Sequence, residues 1–380
     1  MLMDFLEKYK YHKDNPEEFG IDLKKFKKLN EELDNSHISA LLSTSIRVSK
    51  DLIPSVAKAI DQVFKRIKIE NNFNFFVTPN SLQANASCSL MSSASRPDII
   101  LTSKLVELFS EEELQFVIGH EIAHYVYQHG LYPNPNNAEE NNFKLNILNL
   151  SRSAEISADR IGFLACNSLD HALRANLKLA SGLGEKHIKF KFSSYLDQLR
   201  ELEDLGNNSG ELWSTHPNFL IRMQALIWFS MTKEYHEFFD TKKKGTYTLE
   251  EIDWKIENSI KKITGNELER SNKEIYERAL LWGSLNIYLS DKKFSKQEQG
   301  IFAERFGKKA EKAISFLKFS NKDVLEKKVN DSFVEAANLL RSYKTDLSGE
   351  LKKLASETDG DKTKKQNILS RMLEILGSKD

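Results

Sequence analysis

SEEELQFVIGHEIAHYVYQHG, residues 110–130, decides how the rest of this chain is read. Ser110 is a helix N-cap residue, Glu113 three positions on completes a capping box, and Gly130 supplies a stop. Between them Val117, Ile118, Ile122, Ala123 and Val126 surround two histidines, which predicts a helix that is apolar around them. His120 and His124 are four apart, so they stand one turn apart on nearly the same face. Two imidazole nitrogens so placed can share one ion at about 2.0–2.1 Å. Glu121 lies next to that face and can reach a water at the ion without being a ligand. Zinc lowers the pKa of such a water to about 7, within reach of a carboxylate base. Two surface histidines on an amphipathic helix would have the same spacing but not these apolar neighbours.

A third ligand has to come from another element. In SRSAEISADRIGFLA, residues 151–165, Glu155 and Asp159 are again four apart on one helical face. A carboxylate oxygen from Glu155 would complete a His₂Glu set and leave the fourth position for water, with one Zn2+ per chain. Asp159 could accept the remaining ring N–H of a ligand histidine and fix its orientation. A solvated acidic face is the alternative for this pair taken alone; with the first motif beside it, the metal reading is preferred.

Outward from these motifs, Val56, Ile60, Val63, Phe64 and Ile67 line one face of a helix expected over about Ser49–Ile69. Phe73–Thr78 and Asp98–Thr102 read as strands, with a polar loop or irregular hairpin between them. Helices are expected over about Ile147–Cys166 and His171–Leu183, and another follows STHPNFLIRMQAL, residues 214–226. DTKKKGTY, residues 240–247, reads as a linker. The division expected is 1–240 for the metal-binding domain, with its motifs over 73–231, and 246–380 for an all-helical domain. In the latter, segments at Asp291 and Asp359 precede helices ending near Gly307 and Gly377, a weak internal similarity. The fold class is therefore α+β, mostly helical, with a small sheet.

Bulk properties narrow the function. The 55 basic and 55 acidic residues cancel, so no electrostatic case exists for nucleic acid. Cys88 and Cys166 cannot build a disulfide framework, and they read as reduced thiols of a cytoplasmic protein. No signal-peptide pattern or run of 18 apolar residues is present, so no transmembrane segment is expected. His129 lies five positions past His124, on a different face, and reads as a helix-end residue meeting the dipole.

GHEIAH at 119–124, Glu155-Ile156-Ser157-Ala158-Asp159, and Ser214-Thr215-His216-Pro217 followed by Arg222 resemble, in order and separation, the three signatures of the HtpX and CAAX-prenyl-endopeptidase family of zinc metallopeptidases, family forty-eight. The resemblance spans about Phe73–Met231. It implies a gluzincin-type, zincin-like domain with His120, His124 and Glu155 on zinc, Glu121 as general base and then acid, and Asp159 behind a histidine. It further implies His216 near the open coordination position as an oxyanion stabiliser, Arg222 as a structural brace, and Ile99–Thr102 as the sheet edge along which a polypeptide substrate lies. The C-terminal helices faintly resemble TerB-type domains, and a protein partner would bind through them. The function expected is zinc-dependent endopeptidase action on extended or unfolded polypeptide. The alternative is a zinc-containing but latent, or chaperone-like, binding protein activated by a partner, with residues 132–144 as a plug.

Overall fold

The computed structural model describes residues 4–23, 36–89, 96–138, 141–189, 191–205, 219–264, 267–291, 294–318, 322–358 and 361–377. Its elements are mostly helical, and the chain packs into two units. Residues 1–15, 22–135 and 147–265 form the first, and 16–21, 136–146 and 266–380 the second. Residues 240–247, expected as a linker, lie within the first unit.

The sheet of the first unit has four strands: β1 (Ile46–Arg47), β2 (Asn74–Thr78), β3 (Ala86–Ser89) and β4 (Asp98–Thr102). Their spatial order is β1-β2-β4-β3. The outer pairs are antiparallel, while β2 and β4 are parallel, with Asn74 opposite Asp98 and Thr78 opposite Thr102. Both strands read from the sequence are present; the polar segment between them adds β3. Ile99–Thr102 is not the free edge, because β4 is paired on both sides. Among the described strands the edges are β1 and β3; the one beside β4 is β3, whose Ala-Ser-Cys-Ser sequence has little strand propensity of its own and is held by its register with β4.

Helix α1 (Ser36–Thr44) precedes β1, and α2 (Pro54–Ile67) begins with a proline, as first-turn positions permit. Val56, Ile60, Val63, Phe64 and Ile67 are all buried, as their spacing predicts. Thr102 ends β4 and also caps α3 (Ser103–Leu108), its hydroxyl accepting from the Leu105 N–H. Helix α4 (Glu111–Val126) starts with the expected capping box: Ser110 Oγ accepts from Glu113 N, and Glu113 Oε2 accepts from Ser110 N at 2.7 Å. The Glu113 carboxylate is fully buried and also takes Lys178 Nζ at 2.6 Å. Lys178 belongs to α6 (Leu169–Ser181), so the cap of one helix docks another. The stop expected at Gly130 comes earlier. Helix α4 ends at Val126, Gln128 takes a left-handed φ of 58°, and His129–Leu131 form a 3-10 turn.

Helix α5 (Asn141–Cys166) carries the second motif, and it packs tightly on α4 at two glycines. A Cβ on Gly119 would lie 2.4 Å from Ala165 Cβ, and one on Gly162 would lie 2.7 Å from the Phe116 carbonyl oxygen. With hydrogen at both positions the two backbones nearly touch, which brings the metal-ligand candidates of both helices together. Beyond a segment outside the described residues, α7 (Phe192–Leu205) and α8 (Phe219–Ser230) follow, then α9 (Lys233–Phe238) and α10 (Leu249–Thr264). Ile252 and Ile256 of α10 are fully buried in this unit. Asp253 pairs with Arg160 of α5 and accepts the His12 backbone N–H at 3.1 Å, tying the N-terminal segment and α10 to the motif helix.

The second unit is helical among its described residues: α11 (Glu267–Tyr288), α12 (Lys296–Phe306), α13 (Lys308–Lys318), α14 (Lys322–Ala336), α15 (Arg341–Glu357) and α16 (Lys362–Leu376). Ala279, Leu285 and Ile287 of α11 share a core with Phe333, Leu347, Leu351 and Met372. The two segments read as similar both lead into capped helices, at Ser295 and Asp361, that stop at Gly307 and Gly377. Asp359 lies outside the described residues. Among the described residues no helix is long and apolar enough to cross a membrane.

Two predictions follow from this packing. Gly162→Ala lowers the thermal midpoint of the first unit, because overpacking costs about 1–3 kcal/mol where Gly→Ala in a free helix gains up to about 1 kcal/mol. Gly300→Ala, which meets nothing within 4 Å, is the control and leaves the second unit unchanged or more stable. The second concerns pH. Partial burial would lower the pKa of His12, but Asp253 and Glu257, at 3.1 and 3.3 Å, outweigh it and push the imidazole up to about 9. The unfolded chain titrates near pH 6.5. The stabilisation is therefore complete below about pH 6.5 and is lost as pH rises through about 9. Melting of wild type and His12→Gln at pH 6 and pH 9.5 should converge at the higher pH; a constant difference would refute it.

Candidate metal centre

One imidazole nitrogen each from His120 and His124 and one carboxylate oxygen from Glu155 lie within 4.8 Å of one another. The Nε2 atoms of the two histidines face each other at 2.9 Å. Glu155 sets Oε2 at 3.6 Å from His120 Nε2 and Oε1 at 3.6 Å from His124 Nε2. The i, i+4 spacing on α4 supplies the first two groups, and the glycine crossing of α4 and α5 supplies the third. His120 and Glu155 are each only 8 % exposed.

Asp159, one turn beyond Glu155, is 1 % exposed and reaches His120 Nδ1 at 3.0 Å through Oδ1. Arg222 of α8 grips the same carboxylate with two hydrogen bonds, Nε to Oδ2 at 2.7 Å and Nη2 to Oδ1 at 2.6 Å. Its Nη1 lies 3.0 Å from Glu155 Oε2. Burial alone would raise the pKa of Asp159, but the guanidinium holds it below its ordinary value. In the neutral ring, a hydrogen on His120 Nδ1 given to Asp159 would leave the Nε2 lone pair directed at His124 and Glu155. Arg222 therefore pairs with two acidic side chains of α5 at once.

Two nitrogen donors and one oxygen donor converging on one point suit a borderline divalent ion such as zinc. The electrostatics agree with the donor set. Burial disfavours charge on His120, yet Asp159 and Glu155 outweigh it and raise the imidazole. Burial and the neighbouring His120 hold the His124 imidazole well below its ordinary value, so of the pair only His120 is raised by the carboxylates.

Glu121 is 7 % exposed and points into the same cleft, which has a volume of about 670 Å³. Burial pushes its pKa up to about 7; Glu155 adds to the rise, while His120, Arg222 and the backbone N–H of Cys88 oppose it. A carboxylate poised near neutrality is suited to taking and returning a proton. Cys88 belongs to edge strand β3, and both it and Glu121 line the cleft. Burial, with Glu121 and Asp98 nearby, raises the Cys88 thiol, which favours the small buried side chain over a thiolate.

His216 lies outside the described residues, as do Ser214 and Pro217. His129, Gly130, Tyr132 and Pro133 line the cleft, and His129 is in contact with His124, at 2.8 Å between Nδ1 atoms. The placing of His129 corrects the reading that set it on another face of the helix. The left-handed Gln128 ends α4 and folds the next residue back, and no residue type at 128 announces this.

Residues 50–134 and 140–227 match the family model described as Peptidase family M48. A curated relative, the plastoglobule-localized metallopeptidase 48, chloroplastic, of Arabidopsis thaliana, is 23% identical over 216 residues. That alignment covers 51% of this chain and 62% of the relative, so the chain spans less than two thirds of that protein's length. No solved structure matches. The matched residues include both motif helices and Arg222, and over them this chain is similar to peptidase family M48.

Proposed function

We propose that the first unit is a zinc metalloendopeptidase that cleaves extended or unfolded polypeptide. The observation that carries this reading is the convergence of His120, His124 and Glu155 in a cleft beside a carboxylate, Glu121, whose pKa is pushed up to about 7. In this proposal those three residues hold one zinc ion. Bound there, zinc supplies Lewis-acid polarisation of a peptide carbonyl and acidifies water at the site.

The chain's own groups would divide the remaining work. Glu121 takes the proton of the attacking water and hands it to the departing amide nitrogen, so the carboxylate ends as it began. Asp159 orients His120 and is itself held by Arg222. His216 is proposed to steady the negative charge that develops on the carbonyl oxygen. Strand β3 is proposed to align an extended substrate beside the sheet. That geometry favours unfolded segments, because a folded substrate has already used its backbone groups. The two free cysteines suit a reducing, cytoplasmic setting.

Zinc-loaded protein is expected to cleave casein, and Glu121→Gln is expected to lose at least about 100-fold in rate, the range general acid–base catalysis commands. The variant should still bind one zinc per chain, and a strong chelator should abolish wild-type cleavage, with zinc restoring it. Equal cleavage by wild type and variant would overturn the role of Glu121. Zinc bound one per chain without cleavage by either would favour the latent, substrate-binding alternative.

A further inference from the structure

The first histidine of the pair has its partner in Asp159; the second has a longer one. His124 Nδ1 lies 2.8 Å from His129 Nδ1, and His129 Nε2 lies 2.8 Å from Asp14 Oδ2. Tyr132 donates its hydroxyl to the other oxygen of Asp14, Oδ1, at 2.6 Å. His129 is 8 % exposed and Asp14 is 1 % exposed, so water does not stand in for any of these partners. All of these residues belong to the first unit.

Asp14 receives the Tyr132 hydroxyl on Oδ1 and meets His129 Nε2 at Oδ2, and as a carboxylate it can only accept. His129 Nε2 therefore carries the hydrogen it donates. A neutral His129 ring then offers its Nδ1 lone pair 2.8 Å from His124 Nδ1, and a hydrogen carried on His124 Nδ1 completes the chain. That leaves His124 Nε2 unprotonated, facing His120 Nε2 at 2.9 Å and Glu155. Had the hydrogen sat on Nε2 instead, the nitrogen that must ligate would be blocked.

We propose that Asp14 and His129 form a relay that fixes His124 in the Nδ1-protonated tautomer, doing for the second ligand candidate, through an intervening imidazole, what Asp159 does for the first. His129 and Asp14 are positioning residues in this arrangement, and they act through His124. Asp14 comes from the N-terminal segment, outside residues 50–227, so half of the relay lies beyond the region of family likeness. The proposal rests on the zinc reading above for its consequence, but the tautomer itself can be measured without metal.

Two measurements test it. Nitrogen-15 spectra of the metal-free protein should show His124 protonated at Nδ1, with that preference lost in His129→Ala; an Nε2-protonated His124 in wild type would overturn the relay whether or not zinc binds. Chelator competition should then show zinc affinity falling about 10- to 100-fold in both His129→Ala and Asp14→Asn, the usual cost of removing a partner behind a metal ligand. His129→Gln, whose amide oxygen can accept from His124, should lose less than His129→Ala. The double variant should bind zinc no more weakly than His129→Ala, because both residues act along one path. Affinity unchanged in both single variants, even with a lowered melting point of the metal-free protein, would make the cluster merely structural and sink the proposal. Wild type that takes up no zinc, while His124 still shows the Nδ1 tautomer, would instead count against the zinc reading.

Discussion

The site depends first on two missing side chains. Helices α4 and α5 each bring part of the donor set, and they can meet only because Gly119 and Gly162 carry no Cβ at the crossing. A methyl at either place would overlap Ala165 or the Phe116 carbonyl. Separating the helices by even part of an ångström would draw Glu155 away from the two imidazoles, since a packed interior transmits displacement instead of absorbing it. The glycines are therefore as much a part of the centre as the groups that face it. Their helix-weakening effect is offset by burial of Val117, Ile118, Ile161 and Ala165 along the same contact.

A second layer is electrostatic. Burying Glu155, Asp159, Asp14 and Glu113 together would be prohibitive without compensating donors. Each finds one: Arg222 spans Glu155 and Asp159, His129 and Tyr132 serve Asp14, and Lys178 serves Glu113. Breaking one partner of such a pair is far worse than never having built it, so these contacts hold the surrounding helices in one arrangement. Arg160, closed by Asp253 and stacked on Tyr11, does the same on the opposite side of α5.

How much of this was legible in the sequence follows from the range of the interactions. Helix α4, its capping box and the pairing of His120 with His124 are local, set by spacing within one turn, and they stand where the pattern puts them. Glu155 and Asp159 needed a second helix of unknown placement, and their spacing four apart was enough to nominate them. The edge strand was misassigned because Ala86–Ser89 has no intrinsic strand character; pairing with Asp98–Leu101 alone makes it one. His129 was set aside because extending α4 to Gly130 points it elsewhere, and a left-handed glutamine is not something composition reveals. Asp14 could not be nominated at all, since its partner lies 115 positions away in the chain. His216 and Asp359 fall outside the described residues.

The N-terminal segment has a consequence for the order in which the molecule assembles. The donor cluster closes a loop of only 35 residues, from His120 to Glu155, whereas Asp14 must find His129 across 115 and His12 must find Asp253 across 241. Loop closure grows costlier with length, and non-local contacts form late in folding. A nascent chain can thus shape the cluster on α4 and α5 before its own beginning is locked against α10. By topology, the docking of His12 and Asp14 is the long-range, entropically costly part of assembling the first unit, and the cluster on α4 and α5 is the short-range part.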